Sequence, residues 1–159
     1  MELKKLCVHC GGEAVYTQYT HREDVAGVKV SDPRQLAYVC GVCGEAQLST
    51  GELAGFQRRA AMTALCDLPS IQGGVLRYAR KAAGLRQTDL AQLLGLTPET
   101  VSRYETSDDA VPRAVQVAMH GLLLARDSGA DLRMLIANAQ KPVGATELVV
   151  PPAPSHRAA

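Results

Sequence analysis

The sequence predicts an α+β protein, in which a small β-rich domain at the N-terminus precedes an all-α domain. Three observations support this prediction. Cysteine pairs with CxxC spacing lie before residue 50, short runs of β-forming residues lie between the pairs, and apolar residues recur with helical spacing after residue 73. The order of these features favours two small domains over one larger one.

Four cysteines form two pairs with the spacing of metal ligands, Cys7/Cys10 and Cys40/Cys43. Each pair places two thiolates on one tight turn, and two such turns supply the four soft ligands of a tetrahedral structural zinc site. The set is complete without histidine, so we expect one structural Zn²⁺ and expect His9 not to be a ligand. We favour zinc over disulfides because we expect a reducing compartment, and a redox-switched zinc site stays open as an alternative.

Short β-forming runs predict strands at Glu13–Tyr19, Val25–Val30 and Leu36–Val39, with a break at Asp32-Pro33, and a further strand over 44–50. Ser49, Thr50 and Gly51 then offer a cap for a connecting helix that reaches about Leu65. Cys66, near the end of this helix, is expected to be a small buried hydrophobic residue. Breaking residues predict a hinge at 67–70 or just after it, at Gly73-Gly74.

The segment from Gln87 to Glu105 has the pattern of a helix-turn-helix motif. Ala91 supplies the small residue that the crossing of two helices requires, and Gly95 supplies the turn conformation. Thr97 is predicted to cap the second helix, with Pro98 at its first position. A preceding helix ends at Gly84, another opens at Pro112, and the last covers Asp131 to Ala139.

The outward face of the second helix is the surface that such a motif lays in the major groove of DNA. Arg103 is the best candidate for reading a base, because its guanidinium can bind guanine O6 and N7 with two hydrogen bonds. The start of the first helix suits phosphate contacts. The full set of candidate DNA contacts is Arg86, Gln87, Thr88, Thr97, Glu99, Thr100, Ser102 and Arg103.

The formal net charge is only +1, so DNA contact has to come from local arrangement rather than from bulk charge. The cluster Arg77, Arg80, Lys81 and Arg86 precedes the first acid of the second domain, and we interpret this basic end as the one that faces DNA. No stretch approaches the roughly 20 apolar residues of a membrane-spanning helix, and the first residues lack the apolar run of a signal peptide. We therefore expect a cytoplasmic protein with no membrane partner.

In combination, these motifs resemble those of the MqsA-type antitoxins, in which a YgiT-type zinc finger is joined to an Xre-type, lambda-repressor-like helix-turn-helix. The likeness covers about Leu6 to Leu124, and it is carried by CVHCGG at 7–12, CGVCG at 40–44, LRQTDLAQLLG at 85–95 and VSRYE at 101–105. It implies a structural zinc and a homodimer, joined through the C-terminal domains, that binds a palindromic operator in double-stranded DNA and represses its own operon. It also implies that the zinc domain binds and neutralises a cognate toxin. The recognition helix departs from the pattern, because it begins with Pro98-Glu99 where a neutral polar residue is expected.

Two other interpretations stay open. In the first, the chain is a free-standing Xre-type regulator whose zinc module is structural or senses metal or redox state. In the second, it is a protein-interaction adaptor with a degenerate helix-turn-helix. An enzyme is not expected, because a four-cysteine site is closed and no nucleophile is paired with a base.

The predicted organisation is a zinc-binding β domain at 1–50, a connecting helix and hinge at 51–72, an Xre-type helix-turn-helix domain at 73–140 and a disordered tail at 141–159. The tail prediction rests on Pro142, Pro151, Pro152 and Pro154.

Overall fold

The computed structural model describes residues 4–139, which fold as a four-stranded antiparallel sheet followed by six α-helices. The predicted α+β fold class, with a cysteine-bearing sheet before an all-helical region, is confirmed. The predicted tail at 141–159 and the last residue of the predicted second domain lie outside the described residues. The strands, adjacent in the order β1-β2-β3-β4, are β1 (Lys4–Leu6), β2 (Glu13–Val25), β3 (Val28–Cys40) and β4 (Ala46–Gln47). The helices are α1 (Thr50–Asp67), α2 (Gly73–Ala82), α3 (Gln87–Leu94), α4 (Pro98–Thr106), α5 (Arg113–Asp127) and α6 (Leu132–Ala139).

Strands β2 and β3 form one long hairpin, so the predicted break at Asp32-Pro33 is wrong. The turn lies at Ala26-Gly27, where φ is 52° and 88°, as the tight two-residue loops of hairpins require. Near Pro33 the register shifts between the Tyr19 and His21 pairs. Proline lacks a backbone N–H, so the chain accommodates it at this irregularity without ending the strand.

The tip of the hairpin packs against the helices. Val25 is fully buried in the same hydrophobic cluster as Phe56 of α1 and Leu76 of α2. The ring of His21 meets the ring of Phe56 edge to face, with centroids 4.5 Å apart. The sheet therefore shares a hydrophobic core with the helices at this end, while its other end carries the cysteines.

Helix α1 begins where the sequence predicts. Ser49 is the N-cap, and its hydroxyl accepts from the backbone N–H of Glu52, while the Glu52 carboxylate accepts from the backbone N–H of Ser49. The hydroxyl of Tyr16, on β2, donates to the same carboxylate and ties the sheet to the start of the helix. The expectation for Cys66 is wrong: this side chain is exposed, because it follows the buried Leu65 on the solvent side of the helix.

Gly73 and Gly74 do not form a hinge, because both lie inside α2. A Cβ atom on Gly73 would lie 2.2 Å from the carbonyl oxygen of Tyr104, and one on Gly74 would lie 2.6 Å from the Cβ of Ala26. The glycines therefore allow α4 and the hairpin tip to approach α2 closely.

Helices α2 to α6 form the helical core together with α1. One cluster of buried apolar residues extends from Val25 through α1 and α2 to Leu132 at the start of α6. Gln116 of α5 is buried and donates through Nε2 to the carbonyl oxygens of Leu65 and Leu68, at 2.8 and 3.0 Å, so a polar contact also joins α5 to the end of α1. None of the helices in the described part of the chain is long and apolar enough to cross a membrane.

Candidate metal centre and nucleic-acid interface

The two cysteine pairs lie on turns with matching backbone hydrogen bonds. The N–H of Gly11 donates to the carbonyl oxygen of Cys7 at 2.9 Å, and the N–H of Gly44 donates to that of Cys40 at 3.0 Å. Gly11 and Gly44 have φ of 75° and 74°, a left-handed conformation that glycine adopts without strain. Each CxxC sequence is therefore closed by a glycine that turns the chain back into the sheet.

The four sulfur atoms converge, all within 4.8 Å of one another. The Sγ atoms of Cys7 and Cys43 are 3.7 Å apart, and those of Cys10 and Cys40 are 3.5 Å apart. Zinc–sulfur bonds of about 2.3 Å place the sulfurs of a tetrahedral site roughly 3.8 Å apart, so the donor set fits one ion of this size. The four predicted ligands are thus brought together and could bind one metal ion, and His9 is not part of the cluster.

Backbone donors favour the thiolate form of Cys40, whereas at Cys43 the backbone N–H of Glu45 is outweighed by the other three cysteine sulfurs and by burial, which raise the pKa of Cys43 to about 12. The backbone N–H groups of Cys43 and Val42 point at the Cys40 sulfur and lower the pKa of this thiol to about 6. Gln47 of β4 donates from Nε2 to the Cys7 sulfur at 3.1 Å. The contact of Gln47 was not predicted from the sequence. The only feature that points to this residue is its position four residues after Cys43, the last cysteine of the second CxxC pair.

Helices α3 and α4 cross as the helix-turn-helix pattern predicts. Leu90, Ala91 and Val101 are buried at the crossing, and Gly95 has φ 66° and ψ 31°. The N–H of Leu96 donates to the carbonyl oxygen of Ala91 at 2.8 Å, which closes the turn. This packing leaves the other face of α4 turned away from the core.

The outward face of α4 carries the predicted base-reading residue. The Arg103 side chain is exposed and, within residues 4–139, makes no hydrogen bond or ion pair through its guanidinium. Glu99 is also exposed, and its own backbone N–H, with the Thr97 hydroxyl, lowers the pKa of its carboxyl. Thr97 is engaged as the N-cap of α4, accepting from the N–H of Thr100 at 3.2 Å. Ser102 and Thr100 lie on the same helix and are half-buried.

At the start of α3, two of the three predicted phosphate ligands already make bonds within the chain. Arg86 is 82% exposed but pairs with Asp89, 2.9 Å away. The side-chain amide of Gln87 donates to Oε2 of Glu105 at 2.8 Å, and Thr88 is exposed. The candidate DNA contacts thus stay predictions, with Arg86, Thr88 and Arg103 accessible and Gln87 occupied by an internal bond.

The interpretation that the whole basic cluster faces DNA is wrong for Arg80. This residue is 8% exposed, and its guanidinium binds both carboxylate oxygens of Glu105 at 2.6 and 2.9 Å and the carbonyl oxygen of Leu85 at 2.8 Å. Arg77 donates to the carbonyl oxygen of Glu105 at 3.1 Å. A buried guanidinium requires a buried partner, and Glu105, 25 residues away, was not identified as that partner from the sequence.

A comparison with known protein families agrees with the helix-turn-helix geometry of α3 and α4. Residues 73–128, which cover α2 to α5, match a family model described as a helix-turn-helix domain. A search of curated proteins found no match to the chain. The matched segment contains the crossing helices and Arg103, and it supports an Xre-type helix-turn-helix in a DNA-binding transcriptional regulator.

Proposed function

We propose that this chain is a transcriptional repressor that acts as the antitoxin of a toxin–antitoxin pair, binding operator DNA through α3 and α4 and a toxin through the zinc domain. The observation that carries the DNA-binding part is the exposed Arg103 on the outward face of α4, unpaired among the described residues and inside the segment that matches the helix-turn-helix domain. The sequence resemblance to MqsA-type antitoxins supports the toxin-binding part. We infer that the zinc has a structural, non-catalytic role and that the protein is cytoplasmic.

Each group has a defined role in this proposal. Arg103 reads a guanine in the major groove, Glu99 accepts from a cytosine amine, and Arg86 with Thr88 contacts phosphate. Cys7, Cys10, Cys40 and Cys43 hold one Zn²⁺, which supplies folding energy to a sheet end whose own buried cluster contains only Cys7, Ala14 and Cys40 among the described residues.

A homodimer is supported by the surface of α5. Val117 and Leu124 are 57% and 50% exposed, and their spacing of seven residues places them on one face of the helix. A two-fold dimer through such a face would present two copies of α4 to a palindromic site. We expect Leu124→Glu to shift the sedimenting species from dimer to monomer, and a wild-type chain that sediments as a monomer at all concentrations would contradict the dimer.

Toxin binding is supported by exposed apolar residues at the metal end of the sheet. Leu6, Val8 and Val42 are 74%, 86% and 75% exposed, and they surround the cysteine turns. Exposed apolar groups clustered in this way are typical of a protein-binding surface.

The DNA-binding proposal is tested with a labelled duplex from the region upstream of the chain's own reading frame. Arg103→Ala removes a bidentate base contact worth about 1–3 kcal/mol, so fluorescence anisotropy is expected to show roughly tenfold or weaker binding with an unchanged melting temperature. Arg34→Ala is the matched control, because Arg34 is an exposed arginine on β3, outside the matched segment. Equal binding by Arg103→Ala and wild type would contradict the base-reading role of Arg103, and a wild-type chain that does not bind the duplex would favour the interaction adaptor.

The antitoxin proposal is tested by co-expressing the chain with the product of the neighbouring reading frame. We expect the two products to co-purify and expect Val8→Ser with Val42→Ser to release the partner without loss of bound zinc. An unrelated neighbour that does not co-purify, with operator binding intact, would favour the free-standing Xre-type regulator.

A further inference from the structure

A cavity of about 730 Å³ lies beside the helix-turn-helix, between the α2–α3 turn, α3, the end of α5 and the start of α6. Its apolar lining comes from Ala83, Leu85, Leu132 and Ile136, of which the first three are buried. This volume falls in the range of about 300–1,000 Å³ that is typical of small-molecule sites. The site is distinct from both the cysteine cluster and the outward face of α4.

The polar lining of the cavity is dominated by three arginines, Arg86, Arg126 and Arg133. Two acids also line it, but their carboxylates are already engaged. Asp89 accepts from the backbone N–H of Arg86 at 2.8 Å and from its guanidinium at 2.9 Å. Asp131 accepts from the backbone N–H of Arg133 at 2.9 Å.

Arg126 and Arg133 have no carboxylate within 4 Å in the part of the chain that the structure describes. Arg126 stands in the last turn of α5, where a cation stabilises the helix by itself. Arg133 stands in the first turn of α6, where the helix dipole disfavours a cation. The stability of its own helix therefore does not explain its position. Arg86 chiefly, and Arg133 through its charge, lower the pKa of the Asp89 carboxyl, so Asp89 accounts for part of the position of Arg133. Because the two groups form no ion pair within 4 Å, the Arg133 guanidinium stays open to an anion in the cavity.

We propose that this cavity binds a small organic anion, a carboxylate or phosphate monoester with an apolar body. The planar guanidinium groups of Arg126 and Arg133 match the oxygens of such an anion through paired, charge-assisted hydrogen bonds. The side chains of Leu85, Leu132 and Ile136 receive the apolar part, which inorganic phosphate lacks. The binding of this ligand goes beyond the proposed DNA-binding function and does not depend on it.

One consequence does rest on the proposed function. Arg86 lines the cavity and is also a candidate phosphate ligand of DNA, at the start of the first helix of the motif. A ligand that draws the Arg86 guanidinium into the cavity competes with the duplex for this side chain. The anion would then weaken operator binding, as an effector does.

The test uses the full-length, zinc-loaded chain without DNA and follows backbone amide resonances by NMR during titration with phenyl phosphate. We expect saturable shifts at Ala83, Gly84, Leu132 and Ile136, and weaker binding of both inorganic phosphate and the neutral analogue benzyl alcohol. Arg126→Gln and Arg133→Gln are each expected to weaken phenyl phosphate binding about tenfold. Lys81→Gln is the matched control, because Lys81 is an exposed cation close in sequence that does not line the cavity, and it is expected to leave the affinity unchanged.

Three results would overturn the proposal. The first is the absence of saturable shifts at the cavity, and the second is equal weakening by Lys81→Gln, which would indicate nonspecific ion binding. The third is an Arg126→Gln variant that loses affinity for the duplex while wild type binds no phenyl phosphate, which would assign these arginines to the DNA backbone. Because the titration contains no DNA, its failure is distinguishable from a failure of the proposed function.

Discussion

Glu105 is the residue that joins the recognition helix to the rest of the helical core. Its carboxylate is fully buried and contacts Arg80 and Gln87, while its backbone carbonyl accepts from Arg77. The position and tilt of α4, and hence of the Arg103 side chain, depend on this network. A buried ion pair of this kind is weak evidence for stability, but removing one partner leaves the other charge uncompensated.

We predict that Glu105→Ala lowers the free energy of unfolding by about 3–5 kcal/mol, because it leaves the Arg80 guanidinium buried without a counter-charge. Urea denaturation measures the change. Arg103→Ala, at an exposed position on the same helix, is expected to leave the free energy of unfolding nearly unchanged. Replacing both partners, as Arg80→Met with Glu105→Leu, is expected to be far milder than Glu105→Ala; a double variant as unstable as the single one would argue against the uncompensated charge as the cause.

Glu52 makes a pH-dependent contribution to stability. The Tyr16 hydroxyl and the backbone N–H of Ser49 donate to its carboxylate and hold the pKa of this group below its usual value. Since the folded pKa is depressed, the contribution is present above the unfolded pKa of about 4.3 and is lost as the pH falls through the folded pKa.

Glu52→Gln is accordingly predicted to be less stable than wild type by about 1 kcal/mol at pH 6, the usual magnitude of a helix cap. The difference should shrink below about pH 4, as the carboxylate of the wild type is protonated. Denaturation curves of both proteins across pH 3–7 give the comparison. A difference that stays constant over this range would show that the charge of Glu52 contributes nothing.

At the scale of elements, the sequence predicts those features whose cause is local. The start of α1 at Ser49 and the start of α4 at Thr97-Pro98 follow from cap residues within three positions of the amides that they bind. The hairpin turn was missed because Ala26, at φ 52°, is not a residue that favours this conformation, whereas Asp32-Pro33 carries a strong turn signal. Only the packing of the tip against α2 shows why the turn lies at Ala26.

Other features could not be predicted from the sequence because they depend on contacts between elements that are distant in the chain. In the sequence alone, Gly73-Gly74 is typical of a flexible link. Only the structure shows that the absence of a side chain at Gly73 lets α4 approach α2 closely. The Gln47 bond to the Cys7 sulfur joins residues 40 positions apart. The cysteine cluster was predictable because both pairs carry their own spacing signal, even though they lie far apart in the chain.

Two Gly→Ala substitutions in helices, one at a crowded position and one at a more open position, are predicted to change stability in opposite directions. Gly73→Ala places a methyl group against the Tyr104 carbonyl, where backbone has to move, so we expect a loss of about 1–3 kcal/mol in unfolding free energy. Gly55→Ala, in α1, meets only the ends of the Arg59 and Arg58 side chains, at 3.4 and 4.0 Å, and is expected to stabilise the protein by roughly 0.5–1 kcal/mol. Thermal melting of both variants distinguishes the two effects; a Gly73→Ala variant as stable as wild type would mean that the α2–α4 approach is looser than the structure indicates.

At the scale of the whole molecule, the sheet belongs to two different buried clusters. Val25, at the hairpin tip, is part of the large cluster that continues through the helices. The cysteine end has a separate cluster of Cys7, Ala14 and Cys40, with Tyr38 packed against it. Because so small an apolar cluster contributes little hydrophobic stabilisation, a bound metal would have to hold this end together.

We therefore predict that chelation unfolds part of the hairpin rather than the whole protein. Amide resonances of residues 4–18 and 36–47 should collapse when zinc is removed, while those of Val25, Leu76 and the helices persist, because their shared core does not include the cysteines. Elemental analysis before chelation should give one zinc per chain, and Cys40→Ser should reproduce the chelated spectrum. If the helices unfold together with the cysteine end, the protein is a single cooperative unit, and metal occupancy would then control the DNA-binding surface directly instead of only the proposed toxin-binding end.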